Sequence, residues 1–332
     1  MSNIRDVAKI AGVSVATVSR ALSNPEKVSK ASIDKVHKAI EQVGYRPNML
    51  ARSFRSAKSY AIVVLVPDIT NPFFSEVIRA IEDRAQQKGY AVLMGDSRGQ
   101  PEREKEYIRR VETRLADGVI QLRPDEPHKT NVIPEDIAYV NACGCETTLG
   151  PRVRIDNRGA AKSLVDYLIS LGHTRIGVIT GLKDNPHTHD RLAGYKESLE
   201  QAGIAFDRAL IAEGDFTIWS GLNSAQQFCN MEQRPTAVFC MNDEMAIGAM
   251  QTIKSHGLKI PEDISVAGFD DISYARYCDP SLTTIAQPAE EIGKLAMDML
   301  LRLIEGEPLA QTEAVLPAEF VIRKSTGPCR KG

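Results

Sequence analysis

Apolar residues first recur at helical spacing and later gather into short β-branched runs, and this change of period divides the chain. Over residues 4–23, IRDVAKIAGVSVATVSRALS, the residues Ile4, Val7, Ala8, Ile10 and Ala11 share one helical face. Gly12 follows, where the helix end asks for a left-handed residue that glycine adopts most cheaply. Ser14 stands as an N-cap before VATVSRAL, which turns Val18 and Leu22 inward. A third amphipathic stretch, residues 30–43, carries Ile33, Val36 and Ile40 behind Ser29 as cap. The spacing predicts three short helices on one small core. The first two, joined by a tight Gly turn, make a helix-turn-helix with Val15, Ala16, Thr17, Ser19 and Arg20 on the second helix. His37 reads as exposed or half-packed. In GYRPNMLARSFRSAKS, Pro47 stops helical continuation, and an eight-residue helix from Asn48 to Arg55 is too short to stand alone. Residues 46–59 therefore read as a basic linker that becomes helical only when something else organises it.

From residue 60 onward the period shortens. Strands are expected at 60–67, 90–95, 117–122, 137–142, 175–180, 236–241 and 264–269. Helices are expected between them at 74–88, 101–115, 160–171, 191–202, 242–255 and 290–305. Strand followed by helix, repeatedly, means parallel sheets and α/β architecture. SYAIVVLVP with QKGYAVLMG is echoed by TRIGVITG with QAGIAFDRALIAEG, as if two βα halves stood in tandem. The fold class is thus an all-α helix-turn-helix head (1–45), a linker (46–59) and an α/β body (60–332) of two parallel-sheet subdomains. A cleft between strand C-terminal ends is where such folds bind small molecules. Polar and aromatic candidates stand at those ends: Phe73 and Phe74 in NPFF, Asn141, Arg191 in RLAGY, Phe216 in EGDF, Asn242 after FCM, and Asp270 after SVAGF. The KDNPHTH segment reads as a loop near the cleft, with His187 and His189 lining it rather than holding a metal.

Charge sharpens the division. Residues 1–58 hold eleven Lys and Arg against four acidic residues, and the rest of the chain holds thirty against thirty-nine. A basic head on an acidic body is the footprint of a nucleic-acid-binding module joined to something else, although charge alone also suits an acidic protein or a membrane surface. At 332 residues the chain is long enough for about two domains. No apolar run approaches the ~18 residues of a membrane span, and the start does not resemble a signal peptide, so a cytoplasmic, nucleoid-associated protein is expected. The six cysteines form no C-x-x-C pair and are expected to be free thiols, with no metal site.

Residues 95–99, GDSRG, match the G-x-S-x-G of a nucleophile elbow. The helix start at Pro101 lies several residues too late, and no Asp and His follow in a workable order. No phosphate-cradling Gly motif follows any strand, so neither an enzyme nor a cofactor is expected. A small-molecule-binding protein without a DNA role stays an alternative, as does, more distantly, a serine hydrolase.

VAKIAGVSVATVSRAL, then YRPNMLARS, then the body segments in order make the chain resemble the LacI/GalR family of bacterial transcriptional repressors from Ile4 almost to its end. The resemblance implies a recognition helix capped by Ser14, with Val15 and Ala16 touching thymine methyls, Arg20 beside them, and Thr17 and Ser19 on phosphates. It implies that Asn48–Arg55, including Ala51, is a hinge helix lying in the minor groove, with Phe54 where the family places a wedging leucine. For the body it implies a periplasmic-binding-protein-like fold crossed near Asp156, Pro288 and Leu316. The subdomains would be 60–156 with 289–316, and 157–288 with 317–332. Arg191, Asn242 and Asp270 become polar effector contacts and Phe73 and Phe216 aromatic ones, so Arg191→Ala or Asp270→Ala should abolish the effector response and leave the dimer intact. The implied partners are palindromic double-stranded operator DNA, a nucleoside, purine or sugar effector, and a second copy of the chain. A homodimer is expected because the C-terminal heptad helix that makes one relative a tetramer is missing. The segments DITNPFFSEVIRAIE, GDF with WSG, and YCDPSLTTIAQP resemble the branch of the family that controls nucleoside uptake and catabolism.

Overall fold

In the computed structural model, which describes residues 3–23, 27–45, 58–124, 133–134 and 136–330, the chain forms two units, Met1–Lys58 and Ser59–Gly332. The first unit is built by its caps. Helix α1 (Ile4–Ala11) starts at Asn3, whose side chain accepts from the Arg5 and Asp6 amides while the Asp6 carboxylate takes the Asn3 N–H at 2.9 Å. Gly12 ends it at φ 66°, the left-handed region foreseen for it. Helix α2 (Val15–Ser23) follows after Ser14, and α3 (Lys30–Val43) after Ser29. Val7, Ala8, Ala11, Val18, Ala21, Val36 and Ala39 form the buried core, with Ile33, Ile40 and Leu22 half-buried at its margin. His37 is exposed. The hinge candidates Asn48, Ala51, Phe54 and Arg55 lie outside the described residues.

The second unit contains two parallel sheets, as the strand–helix alternation predicts. One has β1 (Ala61–Val66), β2 (Ala91–Asp96), β3 (Gly118–Gln121), β4 (Ala138–Asn141), β5 (Arg152–Ile155) and β11 (Glu313–Leu316) in the order β11-β5-β4-β3-β1-β2. The other has β6 (Ile176–Ile179), β7 (Ile211–Ala212), β8 (Ala237–Cys240) and β9 (Ser265–Ala267) in the order β7-β6-β8-β9. A small antiparallel pair, β10 (Thr284–Ala286) and β12 (Glu319–Val321), completes the set. Both faces of β1 are covered: Ile62, Val64 and Val66 enter one core cluster, and Val63 and Leu65 the other. That double burial is why the strand reads as an unbroken apolar run. In each sheet the chain reverses direction of winding beside a central strand, β1 or β6, and the cleft forms outside the C-terminal ends there.

The helices are α4 (Pro72–Gln87), α5 (Pro101–Glu112), α6 (Asn157–Ser170), α7 (Pro186–Gln201), α8 (Ile218–Cys229), α9 (Asp243–Ser255) and α10 (Ala289–Ile304). Three expectations change. KDNPHTH is not a loop throughout: Asn185 caps α7 and Pro186 opens it, five residues before Arg191. Proline at the first helical position costs nothing there, and Asn71–Pro72 opens α4 in the same way. Helix α8 was hidden by Gly221 and its run of small polar residues. Gly221 is the point where α8 meets α9, and a Cβ there would stand 2.2 Å from the Met245 carbonyl oxygen. β5 and β11 were missed because they are Arg- and Glu-bearing; Arg152 and Arg154 reach Glu313 at 3.1 and 2.6 Å, which joins them. No helix among the described residues is long and apolar enough to cross a membrane.

Candidate functional site

The outer face of α2 gathers short side chains. Val15 is 41% exposed; Ser14, Ala16 and Arg20 are exposed too, with Val18 and Ala21 buried opposite. Ser14 Oγ accepts the Thr17 amide at 3.1 Å and shares a hydrogen with Thr17 Oγ1 at 2.8 Å, which fixes the start of the helix. Thr17 and Ser19 are half-buried at the edge of this face. A convex apolar tip flanked by hydroxyls and an arginine fits a groove with methyl groups inside and phosphates at its rim.

The second unit encloses a cavity of about 960 Å³ between the strand ends of its two sheets. Phe73, Phe74, Arg191, Phe216, Asn242 and Asp270 all line it. Phe73 and Phe74 meet edge to face at 5.4 Å; Phe73 is buried and Phe74 half-buried, so Phe74, and not the Phe73 that the resemblance makes the aromatic contact, is the more accessible of the two. Asn141 does not reach the cavity. Its amide donates to the Arg123 carbonyl at 2.8 Å and its oxygen accepts the Cys143 N–H at 3.1 Å, so it builds the turn whose residues Ala142 and Cys143 form the wall. Asn242 caps α9 through the Met245 amide and donates to the Phe216 carbonyl at 2.8 Å, which holds Phe216 at φ 72°. His187 lines the cavity; His189 turns away to the Lys183 carbonyl.

Arg191 is buried and held from several sides. Its Nε donates to Asn157 Oδ1 at 2.9 Å, its Nη1 to the Met241 carbonyl, and its plane lies 3.7 Å over the Phe269 ring. Its Nη2 stands 3.9 Å from Asp270 Oδ1. Asp270 itself accepts from Gln287 Nε2 at 2.7 Å and sits at φ 113°, a strained backbone of the kind that collects at functional sites. Burial pushes the Asp270 carboxyl up to about 6, with Arg191 and Gln287 opposing the rise. Burial pushes Arg191 down to about 10, so it stays cationic at neutral pH. Asp243 lies beneath, its carboxylate accepting from Thr284 Oγ1 at 2.6 Å and the Ile272 amide at 2.9 Å, and burial beside Asp270 raises its pKa well above the ordinary range. Burial, then Asp68 and Asp270, push Glu244 up to about 7. Gln287 and Asn157 were missed because nothing in the sequence marks a residue whose task is to orient another. Ser97 of GDSRG is buried, its hydroxyl on the Val66 carbonyl at 3.3 Å. Among the described residues no group of three His, Cys, Asp or Glu is placed to hold a metal ion.

Residues 3–48 match the bacterial regulatory proteins of the lacI family, and residues 165–326 match the periplasmic binding protein-like domain. The chain is 44% identical to the HTH-type transcriptional repressor CytR of Escherichia coli (strain K12), covering 98% of this chain and 96% of that one. It is 36% identical to the HTH-type transcriptional repressor PurR of Vibrio atlanticus (strain LGP32), covering 98% of each. Among solved structures, the lac repressor dimer bound to operator and the anti-inducer ONPF superposes with a TM-score of 0.87 at 29% identity, over 98% of this chain and 99% of that one. A complex of the transcriptional regulator CelR with cellobiose gives 0.74 at 27%, over 98% and 100%.

Proposed function

The chain belongs to the lacI family of bacterial regulatory proteins, and from that premise we propose that it is an effector-responsive, sequence-specific transcriptional repressor of nucleoside genes. Two copies bind one palindromic operator in the cytoplasm, where the chromosome lies. The observation that carries the proposal is the union, in one chain, of the exposed Val15–Ala16–Arg20 face with a built cavity that takes in six of the seven effector candidates. We place the DNA contacts on Ser14, Val15, Ala16, Thr17, Ser19 and Arg20, and the body's two subdomains at 60–156 with 289–316 and 157–288 with 317–332. No catalytic role is proposed, since the hydroxyl of the single elbow-like serine is turned inward.

The cavity favours a nucleoside. Its described lining carries five acidic and five basic side chains, a balance that suits an uncharged ligand and gives no net pull on a phosphate. Phe74 and Phe216 offer ring faces for a base, while Asp270 accepts and Arg191 donates hydrogen bonds, which matches ribose hydroxyls. The test has two arms on the full chain. Duplexes selected from a random library should converge on a palindrome bound at least ~10³-fold tighter than its scrambled version at physiological salt. Arg20→Ala should lower the slope of log K against log salt by about one per head. Calorimetry with cytidine, adenosine, hypoxanthine and galactose should show a nucleoside binding and shifting operator affinity. Equal binding of selected and scrambled DNA overturns the regulator; heat from galactose alone overturns the nucleoside.

A further inference from the structure

A chain of hydrogen bonds joins the two sheets' halves along the cavity wall. The Cys143 carbonyl, in the turn after β4, lies 3.1 Å from His187 Nε2 in the first turn of α7. A carbonyl only accepts, so Nε2 carries the hydrogen and Nδ1 is left as an acceptor. Nδ1 lies 3.2 Å from Asn157 Nδ2, which donates to it, and Asn157 Oδ1 takes the Arg191 Nε hydrogen at 2.9 Å. Asn157 opens α6 directly after Asp156, where the chain leaves β5 of the six-stranded sheet. One side chain at that crossing therefore holds both the imidazole and the guanidinium. His187 is positioned in turn by Asn185, whose side chain accepts its amide at 2.9 Å.

We propose that His187 is a positioning residue that latches the two halves of the body across the cleft and, through Asn157, aims the Arg191 fork at the ligand; this rests on the cavity being the effector site. The latch is a neutral imidazole. The groups facing it are Arg191 from its own helix, the Cys143 carbonyl from the β4 turn and Asn157 from α6; Arg191 is faced in turn by Asp270, Asp190, Asp243 and the Cys143 thiol. Burial and the Arg191 charge hold His187 down to about 3, and burial keeps the Cys143 thiol protonated, pushed up to about 12. Parting the halves breaks the bond to the Cys143 carbonyl and admits water, which returns the imidazole toward its ordinary pKa of about 6.5. Only the parted form then takes up a proton in the physiological range. The latched form is fully favoured above ~6.5 and is progressively lost as pH falls below it.

The experiment measures cytidine affinity of the full chain at pH 7.5 and 5.5 for wild type, H187Q and H187A, beside the nitrogen NMR spectrum of His187 in the free protein. Glutamine keeps one donor and one acceptor and does not titrate. At pH 7.5 H187A should bind about tenfold more weakly, and H187Q should recover most of that loss. Between pH 7.5 and 5.5 wild type should weaken a few-fold more than H187Q, short of the about tenfold that a fully parted free form would give, a comparison in which the titration of Asp270 cancels. The free-protein spectrum should show the Nε2–H tautomer, titrating below the ordinary value. Unchanged affinity in H187A with a pH-independent ratio of wild type to H187Q overturns the latch. A His187 that titrates near 6.5, or carries its hydrogen on Nδ1, overturns it whether or not cytidine binds. Absence of cytidine binding with the expected spectrum instead counts against the choice of effector and supports the latch.

Discussion

Replacing Asp270 by Asn tests whether the cleft keeps a carboxylate at a cost to stability. Asp270 is buried, accepts one hydrogen bond from Gln287 and has Arg191 Nη2 3.9 Å away, too distant for a full ion pair. Its carboxyl is pushed from 3.8 up to about 6. A carboxyl whose folded value lies above its unfolded one contributes stability that is fully present below ~4 and is lost as pH rises through ~6. At about 1.4 kcal/mol per tenfold change in proton affinity, the ionised group costs the folded body about 3 kcal/mol above pH ~7. Asparagine keeps the acceptor for Gln287, tolerates the positive φ and never ionises. It also relieves Asp243, whose pKa Asp270 helps to raise, so both effects have the same sign. The stability of Asp270→Asn relative to wild type should therefore rise by about 2–3 kcal/mol between pH 4.5 and pH 8, read from urea melts by circular dichroism. Trp219 is 75% exposed and makes a poor reporter of the same transition. Nucleoside affinity should fall in the same variant. A stability difference that stays flat within about 0.5 kcal/mol across this range would refute the argument, because no buried charge would then be held at a cost.

Arg191→Ala should not be a clean binding mutant, contrary to what the sequence suggests. It removes the cation nearest Asp270 and strands the Met241 carbonyl and Asn157, so the body should lose about 3–5 kcal/mol in the same melts. Gly221→Ala should cost about 1–3 kcal/mol by forcing α8 away from α9, with little change in DNA binding by the head, measured on non-specific duplex.

Much of the molecule was legible because the relevant physics is local. Helical spacing with Ser14, Ser29 and Gly12 as stop and start signals defines the three-helix head, and short apolar, β-branched runs mark seven of the body's strands. Five of them, β1, β3, β6, β8 and β9, are buried along nearly their whole length, so hydrophobicity alone identifies them. The resemblance to a repressor family likewise rests on contiguous words such as VAKIAGVSVATVSRAL. The strand β5 and the edge strand β11 beside it were not legible, since they carry Arg152, Arg154 and Glu313, which meet from some 160 positions apart.

What the sequence by itself determined is the basic, capped head, the α/β class of the body and the identity of the residues at the strand ends. Each depends on periods of two or about four residues and on the side chain's own chemistry. Only the tertiary structure decided which of those residues share a cavity, that Phe74 rather than Phe73 is the accessible ring, and that Asn141 serves its own turn. It alone joined Cys143, His187, Asn157 and Arg191 in one hydrogen-bonded line. A polar side chain at a strand end has the same local signature whether it caps, orients a neighbour or meets a ligand. The difference lies in which partners long-range packing brings within about 3 Å of it, and sequence spacing carries no record of that distance.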